Sequence, residues 1–393
     1  MSAYGELVAF WSGASDLMPG DSNGTLDVFV KDLQSGALEA ISVASDGTAG
    51  NGPSLNAVLS ANGQLVAFES RASNLVAGDA NRSSDIFVKD RLTGVVERVS
   101  MAADGRDGND GSHRPALSAD GRFVAFWSEA GNLVPDDTNQ SYANGGYDIF
   151  VKDRQSGALE RVSVAADGAE GIADSVAPSI SADGRFVAFG SFAANLVPGD
   201  TNDVPDVFVK DRLTGAVERV SLTADGAQGD GDSFWNPHIS GDGRFVAFWS
   251  EASNLVPGDT NGVPDVFVKD RQTGALERIS LADQGAEGNG ASYNPTLSAD
   301  GRLLAFWSEA GNLVPDDTNG ALDVFVRDRQ TGAVEHVSLA ADGTASDGAS
   351  YSPTLSADGR LVAFWSEASN LVAGDSNGKL DVFTVDRSAP AGP

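Results

Sequence analysis

The chain has 393 residues, with 26 Lys+Arg against 56 Asp+Glu, and a formal net charge of −30. That balance argues against nucleic acid and anionic lipid as partners, since both draw on clustered Lys and Arg, and no apolar run approaches the ~18 residues of a membrane span. The absence of Cys removes disulfides, thiolate chemistry and Cys-ligated zinc, while 41% hydrophobic residues suffice for a core.

Read along the chain, one segment, (V/L)AFxS, occurs seven times, beginning at Val8, Val66, Val124, Val187, Val246, Leu304 and Val362. The spacing is 58 residues, widened to 63 by Gln140 to Asn144 and to 59 by one residue near Trp235. The repeats run at about 1–53, 54–111, 112–174, 175–232, 233–291, 292–349 and 350–393, as one domain over 1–393. In the sixth, PTLS (Pro295 to Ser298) precedes an Asp-Gly turn, which suits a tight hairpin. RLLAFWS (Arg302 to Ser308) is apolar enough for a strand covered on both faces. DVFVRD (Asp323 to Asp328) follows, then a turn at RQTG, then AVEHVSLA (Ala333 to Ala340), read as an outer edge strand.

No stretch has a helical period. Seven four-stranded antiparallel units predict an all-β chain of the β-propeller class with seven blades, six being the alternative. The first repeat lacks a first strand and the seventh a fourth, so 26 strands are expected, with the terminal blades incomplete or composite.

The run SADGR, FVAFWS, DVFVKDRQTG, ERVS resembles the TolB-like propeller repeat, whose signature is S-P-D-G, an I-A-F strand, a D-I-Y strand with D-x-x-T-G, and R-L-T. The resemblance spans nearly the whole chain. It implies the propeller fold and, for function, any of three roles: periplasmic protein-binding scaffold, propeller half of a peptidase, or carbohydrate-active propeller. Ala replaces Pro in S-P-D-G, the loop between second and third strands is longer, and no α/β-hydrolase companion is attached to house a peptidase nucleophile.

That longer loop carries D-x-N-x-x-x-D, widened in the third repeat: Asp21, Asn23, Asp27; Asp79, Asn81, Asp85; Asp137, Asn139, Asp148; Asp200, Asn202, Asp206; Asp259, Asn261, Asp265; Asp317, Asn319, Asp323; and Asp375, Asn377, Asp381. Oxygen-only side chains at alternate turn positions suit a hard cation, with calcium the candidate cofactor. The same residues also read as Asx turns that need no metal.

Positions that differ between near copies are the informative ones. Ahead of each first strand stand Leu55, His113 and Arg114, Val176, Phe234 and Trp235, Tyr293, and Tyr351. His113, Trp235, Tyr293 and Tyr351 are the candidate ligand-binding residues, expected to ring a channel mouth suited to a sugar or peptide. The repeated Trp (Trp11, Trp127, Trp249, Trp307, Trp365) is read as core, the Lys-Asp-Arg runs as solvated edges, and His336 as surface. His113 and His238 are the two histidines available for acid–base work. No zinc spacing, G-x-S-x-G elbow or phosphate loop occurs, and no catalytic residue is assigned.

The sequence therefore predicts a non-catalytic, monomeric binding scaffold, periplasmic or extracellular although no signal peptide is present, with a protein or glycan partner. A carbohydrate-active lyase or hydrolase at the mouth is the alternative. A third reading is an engineered or fragmentary repeat array without a dedicated ligand.

Overall fold

The computed structural model describes residues 1–17, 23–139, 146–233 and 235–388. Among them it contains 26 strands and no helix, gathered in seven antiparallel sheets. Five sheets have four strands in sequential order, while the first and seventh have three, as the truncated terminal repeats require. The inserted Gln140 to Asn144 lies outside the described residues. The chain divides into two compact units, Met1–Thr201 with Phe208–Glu218, and Asn202–Val207 with Arg219–Pro393.

The sixth sheet shows how the repeat folds. Its strands are Ser292–Leu297, Leu303–Ser308, Asp323–Asp328 and Val334–His336. The third matches its expected bounds and the second starts one residue later than expected. The fourth is only three residues long, because the chain then turns away into a loop held by a single bridge, Leu339↔Ala345.

The first strand starts three residues earlier than PTLS and contains a bulge. Tyr293 pairs with Trp307, the register then shifts, and pairing resumes at Thr296 with Ala305. Asn294, inside the bulge, has φ of 46°, and Asn56, Arg114, Ala177, Asn236 and Ser352 take the same left-handed conformation at equivalent places. A bulge re-aims side chains away from the pleat. The variable residues Leu55, His113, Val176, Tyr293 and Tyr351 thus belong to the strand itself, whereas Trp235 precedes the short strand His238–Ile239.

Second and third strands carry the core. Phe306 pairs with Phe325, their rings 5.9 Å apart and fully buried, and the pairing recurs in every sheet. In the second to sixth sheets the second and third strands are buried along most of their length, while Asp381–Asp386 of the seventh is half-buried to exposed. Val266, Val268 and Ile279 of the fifth sheet pack on Leu304, Phe306 and Phe325 of the sixth, and Val324, Val326 and Val337 of the sixth pack on Val362 and Phe364 of the seventh. The Trp rings lie at the end of the second strand and are half-buried, packed against these clusters from outside, contrary to the core position expected for them.

Polar groups stitch neighbouring sheets. The Ala299 N–H of one A-D-G hairpin donates to the Ala357 carbonyl of the next at 2.8 Å, as Gly241 does to Ala299, Ala61 to Ala119 and Ala119 to Ala182. The Lys-Asp-Arg run, expected to be solvated, belongs to this seam. Lys89 is buried and donates to the Val43 carbonyl of the preceding repeat, and Arg329 Nε meets Glu277 of the preceding fourth strand at 3.0 Å. Its Nη1 also donates to the Gly301 carbonyl. The Asp of the same run, Asp270, receives two hydrogen bonds from Arg244.

The hairpin glycine is constrained twice. Gly301 has φ of 69°, and a Cβ there would lie 2.3 Å from the Phe245 ring of the preceding sheet. Gly332, in the Q-T-G turn, has φ of 80° but only Arg327 Nη2 at 3.8 Å. Gly301→Ala is therefore expected to lower the unfolding free energy by about 2–4 kcal/mol and Gly332→Ala by only ~1 kcal/mol, read by denaturant titration. Equal costs would show that the ring contact contributes nothing.

Candidate functional site

The Asp that opens the third strand of the first six sheets is buried because its neighbours supply donors. Asp85 Oδ1 accepts the Ser100 hydroxyl at 2.6 Å, and that same hydroxyl accepts the Ile86 N–H. Asn81 turns its amide nitrogen, not its oxygen, toward Asp85 Oδ2 at 2.9 Å and toward the Gly108 carbonyl at 3.1 Å. Its oxygen accepts the Ser83 N–H, an Asx turn. Asn23, Asn139, Asn202, Asn261, Asn319 and Asn377 likewise donate to Asp27, Asp148, Asp206, Asp265, Asp323 and Asp381. Asp21 lies outside the described residues, and Asp200 and Asp375 are half-buried in their loops.

Among these carboxylates stands a guanidinium that sequence reasoning missed. Arg98, on the fourth strand, places Nη1 2.9 Å from Asp79 and 3.5 Å from Asp85, and Nη2 on Asp107. Arg278 repeats this with Asp259 at 3.1 Å, Asp265 at 3.4 Å and Glu287 at 2.8 Å. Arg161 sits between Asp137, Asp148 and Glu170, three acids whose oxygens lie within 4.8 Å of one another and form the one metal-type cluster among the described residues. In the fourth repeat Arg219 meets Asp206 and Gln228. Where the arginine is absent, so is its third partner: the first repeat has Ala40 and Ala49, and the sixth has His336 and Ala345. His336 is buried, not on the surface, with Nε2 3.0 Å from Asp323 and its ring stacked on Phe325.

In the second unit the bulged first strands carry Tyr293 and Tyr351, and Trp235 stands ahead of the short strand His238–Ile239. The Tyr293 ring lies 4.6 Å from Trp307 and edge-on to Trp249 at 5.2 Å. Burial, with the Glu309 and Glu251 charges adding to it, raises the Tyr293 phenol. Tyr351 donates its hydroxyl to Glu367 Oε1 at 3.4 Å, and Trp235 is 42% exposed. Phe234 lies outside the described residues.

In the first unit His113 is held between two carboxylates, with Nδ1 2.8 Å from Glu69 and Nε2 3.4 Å from Glu129. Its ring lies 4.4 Å from Trp127, which in turn meets Tyr147 at 4.9 Å. His238 does different work. Its Nδ1 accepts the Leu297 N–H at 3.2 Å, and burial lowers its pKa to about 4, so it is a neutral structural acceptor.

No family profile matches the chain, and no curated protein matches it. Solved structures do. An oligogalacturonate lyase from Vibrio parahaemolyticus aligns with a TM-score of 0.58 at 14% identity, over 98% of this chain and 87% of that one. The fold is a β-propeller. The propeller domain of the Trilobed protease from Pyrococcus furiosus aligns at 0.51 and 12%, over 85% and 81%. A TolB structure from Agrobacterium tumefaciens aligns at 0.47 and 14%, over 79% and 87%. At these identities the likeness shows the fold alone, the class expected of the TolB-like repeat.

The acid clusters of the propeller give stability a definite pH dependence. Burial, with a neighbouring aspartate second, raises Asp79 and Asp259 to about 6 and Asp137 to about 7, and burial raises Asp148 to about 6. Between about pH 4 and 7 the folded chain thus holds protons that unfolded aspartates have lost, so this contribution falls as pH rises. Asp153, Asp211 and Asp270 are held far below the usual range by Arg122, Arg185 and Arg244, and their contribution is lost only below about pH 4. The melting temperature is expected to be higher at pH 5 than at pH 7.5, with the difference reduced in Asp137→Asn. A rise in stability toward pH 7.5 would contradict this assignment.

Proposed function

We propose that this propeller is a non-catalytic binding scaffold whose second unit presents an aromatic and acidic strip to a glycan. The carrying observation is the cluster beside the first-strand bulge, where half-buried Tyr293 and Tyr351 pair with half-buried Trp307 and Trp365 near Glu251, Glu309 and Glu367. Rings of this kind stack on sugar faces, and carboxylates accept from hydroxyls. The acidic strip disfavours anionic ligands and suits neutral or amino sugars.

The scaffold is proposed to act as a monomer in the periplasm or outside the cell. Among the described residues no helix is long and apolar enough to cross a membrane. The carbohydrate-active alternative rests on the His113–Glu69 contact. Titration of the chain with cellohexaose and chitohexaose, followed by tryptophan fluorescence, is expected to show saturable binding. Tyr293→Ala and Tyr351→Ala should each weaken it several-fold, on the scale of ~1 kcal/mol per lost ring contact. Absence of binding to both sugars, with a lysine-rich peptide bound instead, would replace the glycan by a protein partner.

For the D-x-N loops we propose that the arginine does the work expected of calcium in the second to fifth repeats. A guanidinium among two or three carboxylates satisfies them where a divalent ion would otherwise sit. Millimolar calcium is then expected to leave the melting temperature of the parent chain unchanged and to raise that of Arg161→Ala, whose Asp137, Asp148 and Glu170 are left without their cation. Equal stabilisation of both by calcium would place the metal alongside the arginine.

A further inference from the structure

The second and third sheets meet where four side chains depart from the repeat together. Glu69 occupies the second-strand position that holds Trp in five other repeats, and Arg71 the place of Glu129, Glu251, Glu309 and Glu367. His113 stands where Tyr293 and Tyr351 stand, and Arg114 where the bulge elsewhere carries Asn, Ala or Ser. These positions lie 44 residues apart in sequence yet form one connected group.

Glu69 is its centre. It is buried, and its oxygens accept from His113 Nδ1 at 2.8 Å, the Ser84 hydroxyl at 3.0 Å, Asn56 Nδ2 at 3.0 Å and the Arg114 N–H at 3.2 Å. Arg71 Nε lies 3.4 Å from the same Ser84 hydroxyl. A carboxylate so saturated fixes the imidazole and the left-handed Arg114 backbone, and the arginine side chains themselves are exposed. In a chain of net charge −30 the other repeats place a carboxylate, a glycine or a phenylalanine where Arg71 stands and an uncharged residue where Arg114 stands. Arg71 and Arg114 add two positive charges beside Glu69 and Glu129, and guanidinium forks match a carboxylate in geometry.

We propose that this seam is a binding site for a carboxylate-bearing ligand, gripped by Arg71 and Arg114. His113, oriented by Glu69, presents Nε2 and, with Glu129, contacts a polar group next to that carboxylate. The site belongs to the first unit and does not depend on the glycan strip.

The test uses calorimetric titration of the whole chain with N-acetylglycine and with glucuronate, two sources of the same carboxylate, and glucose as the neutral control. Saturable binding of at least one carboxylate, without binding of glucose, is expected. Arg71→Glu and Arg114→Asn introduce residues found at the equivalent positions of other repeats, and the melting temperature of each variant is measured beside its affinity. Each should weaken binding by about tenfold or more, the scale of one lost charge-assisted contact, with an unchanged melting temperature. His113→Tyr should weaken the carboxylate with a neighbouring hydroxyl more than N-acetylglycine. If Arg71→Glu lowers the melting temperature, Arg71→Gln supplies the binding comparison. Failure of both carboxylates to bind, or unaltered affinity in both arginine variants, overturns the proposal.

Discussion

No sheet in this chain can hide its own apolar faces. Second and third strands are covered on both sides, with Phe306 and Phe325 fully buried and the β-branched residues beside them packed on the sheets before and after. Near-continuous apolar strands require a neighbour on each face. The repeat answers this by being its own neighbour, so a copy such as the sixth contributes half of two cores. The same requirement explains the hairpin glycine, whose missing Cβ admits the first residue of the preceding second strand, Leu7, Leu65, Phe123, Phe245 or Leu303.

Stacking apolar faces leaves the polar ends of the strands to be satisfied. Lysine and arginine of the Lys-Asp-Arg run reach back to carbonyls and a glutamate of the preceding repeat, and the Ala N–H of each hairpin reaches the next. Placed within a seam, these ion pairs have a partner fixed by packing, unlike free surface pairs, whose net contribution is small. The arginine among the D-x-N carboxylates follows the same logic inside one sheet. It neutralises acids that burial would otherwise force to keep a proton, and the raised Asp79, Asp137 and Asp259 show that one cation does not fully offset the charges around it.

The architecture was legible in the sequence because a 58-residue period, Asp-Gly turns and apolar runs of strand length all agree. The first-strand bulge was not: Asn56, Asn236 and Asn294 are of a type that tolerates positive φ, but Arg114, Ala177 and Ser352 at the equivalent places carry no such mark. The fourth strand was overextended because AVEHVSLA alternates like a strand, yet its last residues form a bridged loop. The D-x-N residues were read as calcium ligands or as Asx turns, and the arginine that meets the strand Asp lies 13 residues downstream of it. A signal for it existed in the chain itself: arginine and the third polar partner are present or absent together, as Ala40 with Ala49 and His336 with Ala345 show.

That internal comparison extends to function. Duplication copies structural solutions without regard to ligand, so agreement between repeats reports folding, and only departures can report a task. A single departure is weak, because drift alone produces it, as Val176 or Leu55 illustrate. Departures at Glu69, Arg71, His113 and Arg114 differ in kind, because the fold brings them within hydrogen-bond reach of one buried carboxylate or its serine partner. Glu69 in place of Trp would bury an uncompensated charge unless His113, Ser84 and the Arg114 backbone supplied donors. The group therefore had to change together. A change that costs a core-flanking Trp and gains no apolar packing is one that folding alone does not explain.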